Sequence, residues 1–176
     1  AAARAYGLIP GCLRSRAGCD ARYISCIPDT LSFEQAATLP VAWTTVCHCL
    51  DAGHLHSMRT VLVHAASGGV GLVTVERVLQ VCAVAYVTAG GIAKHWLLWS
   101  QGISHRASSR SAVACAALLA SCLAGHRVHS AVNSLSSDFI SLSFAFLAPG
   151  GMLAEIGKNR IWSLARAFRA RPERDY

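Results

Sequence analysis

Thr60-Val61-Leu62-Val63-His64-Ala65-Ala66-Ser67-Gly68-Gly69-Val70-Gly71 decides the fold. Its first half is a compact run of β-branched and apolar residues, the composition of a buried strand. Its second half is built from small residues, and Val70 to Val81 then carries apolar residues on nearly every face, with Glu76-Arg77 as a polar patch. Strand, tight turn and buried helix follow from that order. The small residues also have a chemical meaning. Gly68 lets backbone approach a pyrophosphate, Gly71 lets the helix pack closely on the sheet, and the helix N-terminus presents free N–H groups to phosphate. Ala65 stands where the usual fingerprint has its first glycine, and a small-residue turn with no ligand is the competing reading.

Outward from this turn, strand and helix patterns alternate. Cys82 to Thr88 reads as a second strand, Ile92 to Gln101 and Ala112 to Leu123 as helices, and Val128 to Val132 and Met152 to Ile156 as further strands. The expected class is α/β, a Rossmann-type doubly wound parallel sheet with helices on both faces. Upstream, the pattern changes near Pro28. Short apolar runs punctuated by Gly7, Pro10, Gly11 and Gly18 precede it, with Tyr23 to Ile27 as the best strand. From Ser32 the text turns helical, with Ser32 as N-cap and Glu34-Gln35 in the first turn. Pro40 is expected to interrupt that helix, a second one running from about Ala42 to Ala52.

Composition narrows the function. The chain has 176 residues, 53% hydrophobic and 14% charged, enough material for a buried core. Its formal charge of +7 comes from scattered arginines with no basic run and no interleaved aromatics, a pattern that fits phosphorylated ligands and argues against nucleic acid. No apolar stretch is long and unbroken enough to span a membrane. The eight cysteines read as small reduced core residues, and Cys47, Cys49, His54 and His56 lack the ligand spacing of a structural zinc site, so no metal is expected. The opening Ala-Ala-Ala-Arg-Ala-Tyr, without Met or a signal pattern, is expected of an internal piece of a longer chain.

Cofactor choice turns on the residues just after the second strand. Enzymes that select NAD place a carboxylate there for the ribose 2′-hydroxyl. Thr88-Ala89-Gly90-Gly91-Ile92-Ala93-Lys94 has none. Lys94, with Arg110 after Ser108-Ser109, offers a charge-assisted partner to the 2′-phosphate of NADP. A solvated surface lysine is the alternative.

These residues resemble a family. Leu31 to Pro40, read LSFEQAATLP, and Val61 to Gly71 are similar to zinc-free medium-chain dehydrogenases/reductases. Val132-Asn133-Ser134-Leu135, Leu147-Ala148-Pro149-Gly150-Gly151 and Glu155-Ile156-Gly157-Lys158 resemble the enoyl reductase domains of modular polyketide synthases. Gly7 to Cys12 resembles the end of that family's substrate-binding barrel. The resemblance implies a β-rich barrel remnant at 1–28 and an NADPH-binding Rossmann domain at 29–176, truncated at its C-terminus. It implies NADPH-dependent reduction of a trans-2-enoyl thioester during polyketide or fatty-acid chain assembly. The substrate would ride on the phosphopantetheine of an acyl carrier protein, among neighbouring synthase domains in the cytoplasm.

By the same resemblance, Ser67, Gly68, Gly69, Val70 and Gly71 hold the pyrophosphate. Asn133, Ser134 and Leu135 lie with Gly157 and Lys158 near the nicotinamide, and Thr45 lies beside the cofactor. Ser109 and Arg110 join Lys94 at the cofactor, and Lys94 is the one catalytic candidate. Two departures stand out. The family often has an acid, proposed for proton transfer, shortly after its Ser-Arg segment, where this chain has Val113, and His129 replaces its usual Asp. A quinone reductase acting on a free substrate, and an inactive NADPH-binding or structural domain, are the alternatives.

Overall fold

The computed structural model describes residues 3–136 and 138–170. It divides into two compact units, Ala1–Thr45 and Val46–Tyr176. In the first, β1 (Ala5–Gly7) pairs antiparallel with β2 (Ile24–Cys26). A single 3-10 turn, Ala21–Tyr23, leads into β2 and is capped by Asp20, whose carboxylate accepts the Arg22 N–H and pairs with its guanidinium at 2.8 Å. Helix α1 spans Phe33–Ala52. Its start is the reciprocal capping arrangement the sequence suggests: Gln35 N–H donates to Ser32 Oγ at 3.2 Å, and Ser32 N–H to Gln35 Oε1 at 2.9 Å.

The expected break at Pro40 does not occur. α1 runs through the proline without interruption. An interior proline costs about 3 kcal/mol, but beyond it Val46 and Leu50 are buried in the core of the second unit.

The second unit is a five-stranded parallel sheet. Its elements are β3 (Thr60–Val63), α2 (Gly69–Gln80), β4 (Val84–Ala89), α3 (Ile92–Ser100), β5 (His105–Ser108), α4 (Ala112–Leu123), β6 (Val128–Asn133), α5 (Asp138–Phe146), β7 (Leu147–Glu155) and α6 (Leu164–Arg169). The strand order β5-β4-β3-β6-β7 is that of a Rossmann-type sheet. Side chains alternate along each strand. Val61, Val63, Ala85, Val87 and Val132 pack with Val75 and Val78 of α2 and Leu98 of α3. Leu62, Tyr86, Ala107 and Ala131 pack with Cys115 and Leu119 of α4 and Phe139 and Leu142 of α5. Both faces are covered, as an all-parallel sheet requires.

In this unit β5, α5 and α6 are absent from the sequence reading, and β7 differs in its start. β5 has only Ala107 buried, and its His105 and Arg106 give no strand pattern. α5 carries two Ser and three Phe among its nine residues, poor helix formers that tertiary packing overrides. β7 begins at Leu147 rather than Met152 and takes in Pro149-Gly150-Gly151 through an irregularity, the partners of Val128 and Ser130 being Leu147 and Met152. Gly150 there has φ +72°, a conformation open to glycine.

One buried histidine ties the sheet to α5. His64, 2% exposed, follows β3. Its Nδ1 lies 3.2 Å from Thr88 Oγ1 and its Nε2 3.0 Å from Ser143 Oγ, with the Phe139 ring edge-on at 5.1 Å. Ala65 N–H donates to Thr88 Oγ1 at 3.0 Å, and Ser143 Oγ–H donates to Phe139 O at 2.7 Å. The Thr88 hydroxyl proton therefore goes to Nδ1, and the imidazole is neutral with its proton on Nε2.

Burial lowers the His64 pKa to about 3 from an ordinary 6.5. The unfolded chain takes up this proton well above the pH at which the folded chain does, so stability falls as pH drops below 6.5. Between pH 7 and 5 the loss is about 2 kcal/mol. Urea unfolding at both pH values is expected to show that loss in the unaltered chain and about that much less in His64→Gln; parallel losses would remove His64 as the cause.

Gly71 sets how closely α2 sits on the turn. A Cβ there would fall 2.5 Å from Ala65 O and 2.6 Å from Ala66 Cα, both backbone, whereas at Gly69 it would meet nothing within 4 Å. Gly71→Ala is expected to destabilise by about 1–3 kcal/mol or more, with Gly69→Ala close to neutral, as read by denaturant midpoints. Equal tolerance at the two positions would show that α2 is free to move off the sheet.

Candidate functional site

Parallel strands place all their carboxyl ends on one edge. Chain order reverses between β3 and β6, so the crevice outside their carboxyl ends is the switch point where such sheets bind ligands. His64 N–H donates to Val132 O at 2.9 Å, setting the turn after β3 beside Asn133 at the end of β6.

The turn is held from β4. Ala65 has φ +50°, a left-handed conformation that costs an alanine about 1 kcal/mol. Its N–H bonds the Thr88 hydroxyl, Ala66 N–H bonds Thr88 O at 2.9 Å, and Gly68 N–H returns to Ala65 O at 2.9 Å. Gly68 is the N-cap of α2 and supplies no side-chain cap. The first-turn N–H groups of Gly69, Val70 and Gly71 thus have no helical acceptor. A Cβ on Gly68 would approach only Ala65 O, at 3.4 Å, and one on Gly69 would enter open space. Protein packing does not demand glycine at either position. Both glycines are exposed, and the space beside them is open.

The ends of β4 and β5 form the next part. Ser109 N–H donates to Ala89 O at 2.9 Å, and a Cβ on Gly90 would lie 3.3 Å from Ser109 Oγ and 3.8 Å from Arg110 Nε. Ser109 and Arg110 therefore flank Gly90, where the sequence reading places a 2′-phosphate partner. Arg110 N–H is fixed by Ser108 Oγ at 3.1 Å. Lys94 stands exposed on the first turn of α3, whose N-cap is Gly91. Neither Lys94 nor Arg110 has a carboxylate within ion-pairing distance among the described residues. A sequence signal explains this: residues 77–137 contain no Asp or Glu, yet include Arg77, Lys94, Arg106, Arg110 and Arg127.

At the ends of β6 and β7 the candidates are joined by a residue outside the expected set, Glu155. Asn133 is fully buried. Its Nδ2 donates to Glu155 Oε2 at 2.6 Å and to Leu135 O at 2.7 Å, and its Oδ1 accepts the Leu135 N–H at 3.1 Å. Glu155 Oε1 accepts the Gly157 N–H at 2.7 Å. A Cβ on Gly157 would lie 2.6 Å from that oxygen, so a side chain there would push the Glu155 carboxylate aside. Asn133, Leu135 and Gly157 are thus brought together, while Ser134 and Lys158 are exposed beside them. Thr45 belongs to the first unit, its hydroxyl donating to Val41 O at 2.7 Å. Cys49 is buried, whereas Cys47 on the same helix is exposed.

Among the described residues the edge therefore offers first-turn helix N–H donors, two cations without a carboxylate partner beside the end of β4, and an amide–carboxylate cluster beyond the switch point. Among the described residues no helix is long and apolar enough to cross a membrane.

No protein-family model matches the chain. A phenolphthiocerol/phthiocerol polyketide synthase polypeptide of Mycobacterium tuberculosis is 36% identical over 155 residues, 88% of this chain and 7% of that protein. The crystal structure of the CurK enoyl reductase is 34% identical, with a TM-score of 0.83 over 88% of this chain and 46% of that one. The nucleotide-binding subdomain of the enoylreductase domain of PpsC from Mycobacterium tuberculosis is 34% identical, with a TM-score of 0.66 over 74% of this chain and 75% of that one. The chain spans under a tenth of the synthase and less than half of the CurK reductase. With the Rossmann-type sheet, the glycine turn and this match to the PpsC subdomain, the chain belongs to the enoyl reductase domains of polyketide synthases.

Proposed function

We propose that the chain is the nucleotide-binding part of an enoyl reductase that uses NADPH to reduce a trans-2-enoyl thioester, carried by an acyl carrier protein, during polyketide assembly. The observation that carries this reading is the cradle at Gly68 and Gly69, open to a ligand, beside a β4 end without a carboxylate. Bound NADPH supplies the hydride for the β-carbon of the substrate. The chain's own residues bind and orient. Ser67, Gly68, Gly69, Val70 and Gly71 take the pyrophosphate through backbone N–H groups, and Lys94, Ser109 and Arg110 take the 2′-phosphate. Asn133, Ser134 and Leu135, with Gly157 and Lys158, flank the nicotinamide side, and Thr45 completes the cofactor set. Glu155 keeps the Asn133 amide in one orientation through the 2.6 Å bond.

Lys94 is the one catalytic candidate. In this reading residues 1–28 are the end of a substrate-binding barrel and residues 29–176 a Rossmann domain. The carrier and the neighbouring synthase domains are its cytoplasmic partners. Val113 favours a second reading, NADPH binding without turnover: it is 82% exposed on the first turn of α4 and exchanges no proton.

Titration followed by nicotinamide fluorescence tests the proposal. NADPH is expected to bind at least about tenfold more tightly than NADH, since a hydrogen bond to a charged group is worth about 1.5–3 kcal/mol. Lys94→Ala with Arg110→Ala is expected to bring the two affinities together. Gly68→Val is expected to abolish binding while circular dichroism stays native, because φ −84° at Gly68 suits any residue. Equal affinity for the two nucleotides in the unaltered chain contradicts the 2′-phosphate site.

A further inference from the structure

We infer that Thr88 is a positioning residue for the bound dinucleotide, with His64 and Ser143 setting the direction of its hydroxyl. This rests on the nucleotide-binding reading above and concerns how the turn is held. The polar chain runs without a gap from Ala65 N–H to Thr88 Oγ1, from the Thr88 hydroxyl to His64 Nδ1, from His64 Nε2–H to Ser143 Oγ, and from the Ser143 hydroxyl to Phe139 O. Each donor has one acceptor and each hydroxyl both gives and receives, so the direction of every bond is fixed. His64 is 2% exposed, and Thr88 and Ser143 are fully buried.

Stability alone gives little reason for such a chain. Replacing both partners of a buried hydrogen bond by apolar groups of the same shape is close to neutral, and the surrounding core is already Val, Leu and Phe. What the chain does supply is a fixed acceptor for Ala65 N–H. That bond holds a non-glycine residue at φ +50°. The same residue's carbonyl receives Gly68 N–H at 2.9 Å, so its rotation would move the N-cap of α2 and the N–H groups that face the phosphate. Thr88 thus acts on the ligand through Ala65 and Gly68 without touching it.

The test is the dissociation constant for NADPH, measured on the full chain with each variant checked for native near-ultraviolet circular dichroism. Thr88→Val keeps the shape and loses the acceptor, and is expected to bind about tenfold more weakly. Thr88→Ser restores the hydroxyl and is expected to return to within about twofold, a rescue that a purely packing role for the threonine would not give. Ser143→Ala, on α5, is expected to weaken binding about threefold alone and not at all in the Thr88→Val background, since the two belong to one network. Normal affinity in folded Thr88→Val overturns the inference while leaving the nucleotide reading intact. Absence of NADPH binding in the unaltered chain overturns both. Should Thr88→Val not fold, Ser143→Ala decides: weakened binding supports the network, and unchanged binding refutes it.

Discussion

The hydrogen bond from Ala65 N–H to the Thr88 hydroxyl, at 3.0 Å, stands beside that from Ala66 N–H to Thr88 O, at 2.9 Å, and the two hold the turn after the first strand of the sheet to the end of the second. The turn after β3 must reverse direction sharply enough for α2 to lie against the sheet. Most chains of this kind meet that demand with glycine; here an alanine takes the left-handed conformation and is pinned from the neighbouring strand. The pin lets the helix begin at Gly69 with its first N–H groups unclaimed. Gly71 then closes against the turn backbone, where any side chain would collide. Local strain, close packing and exposed donors are thus consequences of one arrangement.

The parts of the molecule written in short-range pattern are legible in the sequence. Strand-turn-helix around residues 60–81 follows from β-branched, small and apolar residues in order, and the alternation downstream yields a doubly wound sheet. Elements that depend on distant partners are not legible. Residues Asp138–Phe146 are helical because Phe139, Ile140, Leu142 and Ser143 complete a face against the sheet, a fact absent from their local propensity. Helix α1 likewise passes Pro40, where the local pattern gives a break.

The candidate site divides the same way. Its glycine cradle and missing carboxylate are readable because chemistry attaches to residue type at fixed spacing, and the placement of Asn133 and Gly157 comes from family resemblance. Glu155 is hidden in the sequence because it reaches Asn133 from 22 positions away, and the His64–Ser143 contact spans 79. Such pairs leave no periodic trace in one sequence. The absence of acids from residues 77–137 is plain in the sequence and gains meaning only once the sheet gathers Lys94 and Arg110 near its carboxyl edge.

Charge, backbone donors and topology converge on one end of the parallel sheet. Backbone amide chemical shifts of the chain titrated with NADPH test that convergence most directly. Saturable shifts are expected to concentrate at Ser67 to Gly71, at Gly90 to Lys94 and at Ser109 and Arg110, with Asn133 to Leu135 following. Shifts confined to the opposite edge, around Arg59, Thr60 and His129, or no saturable shifts at all, would contradict it.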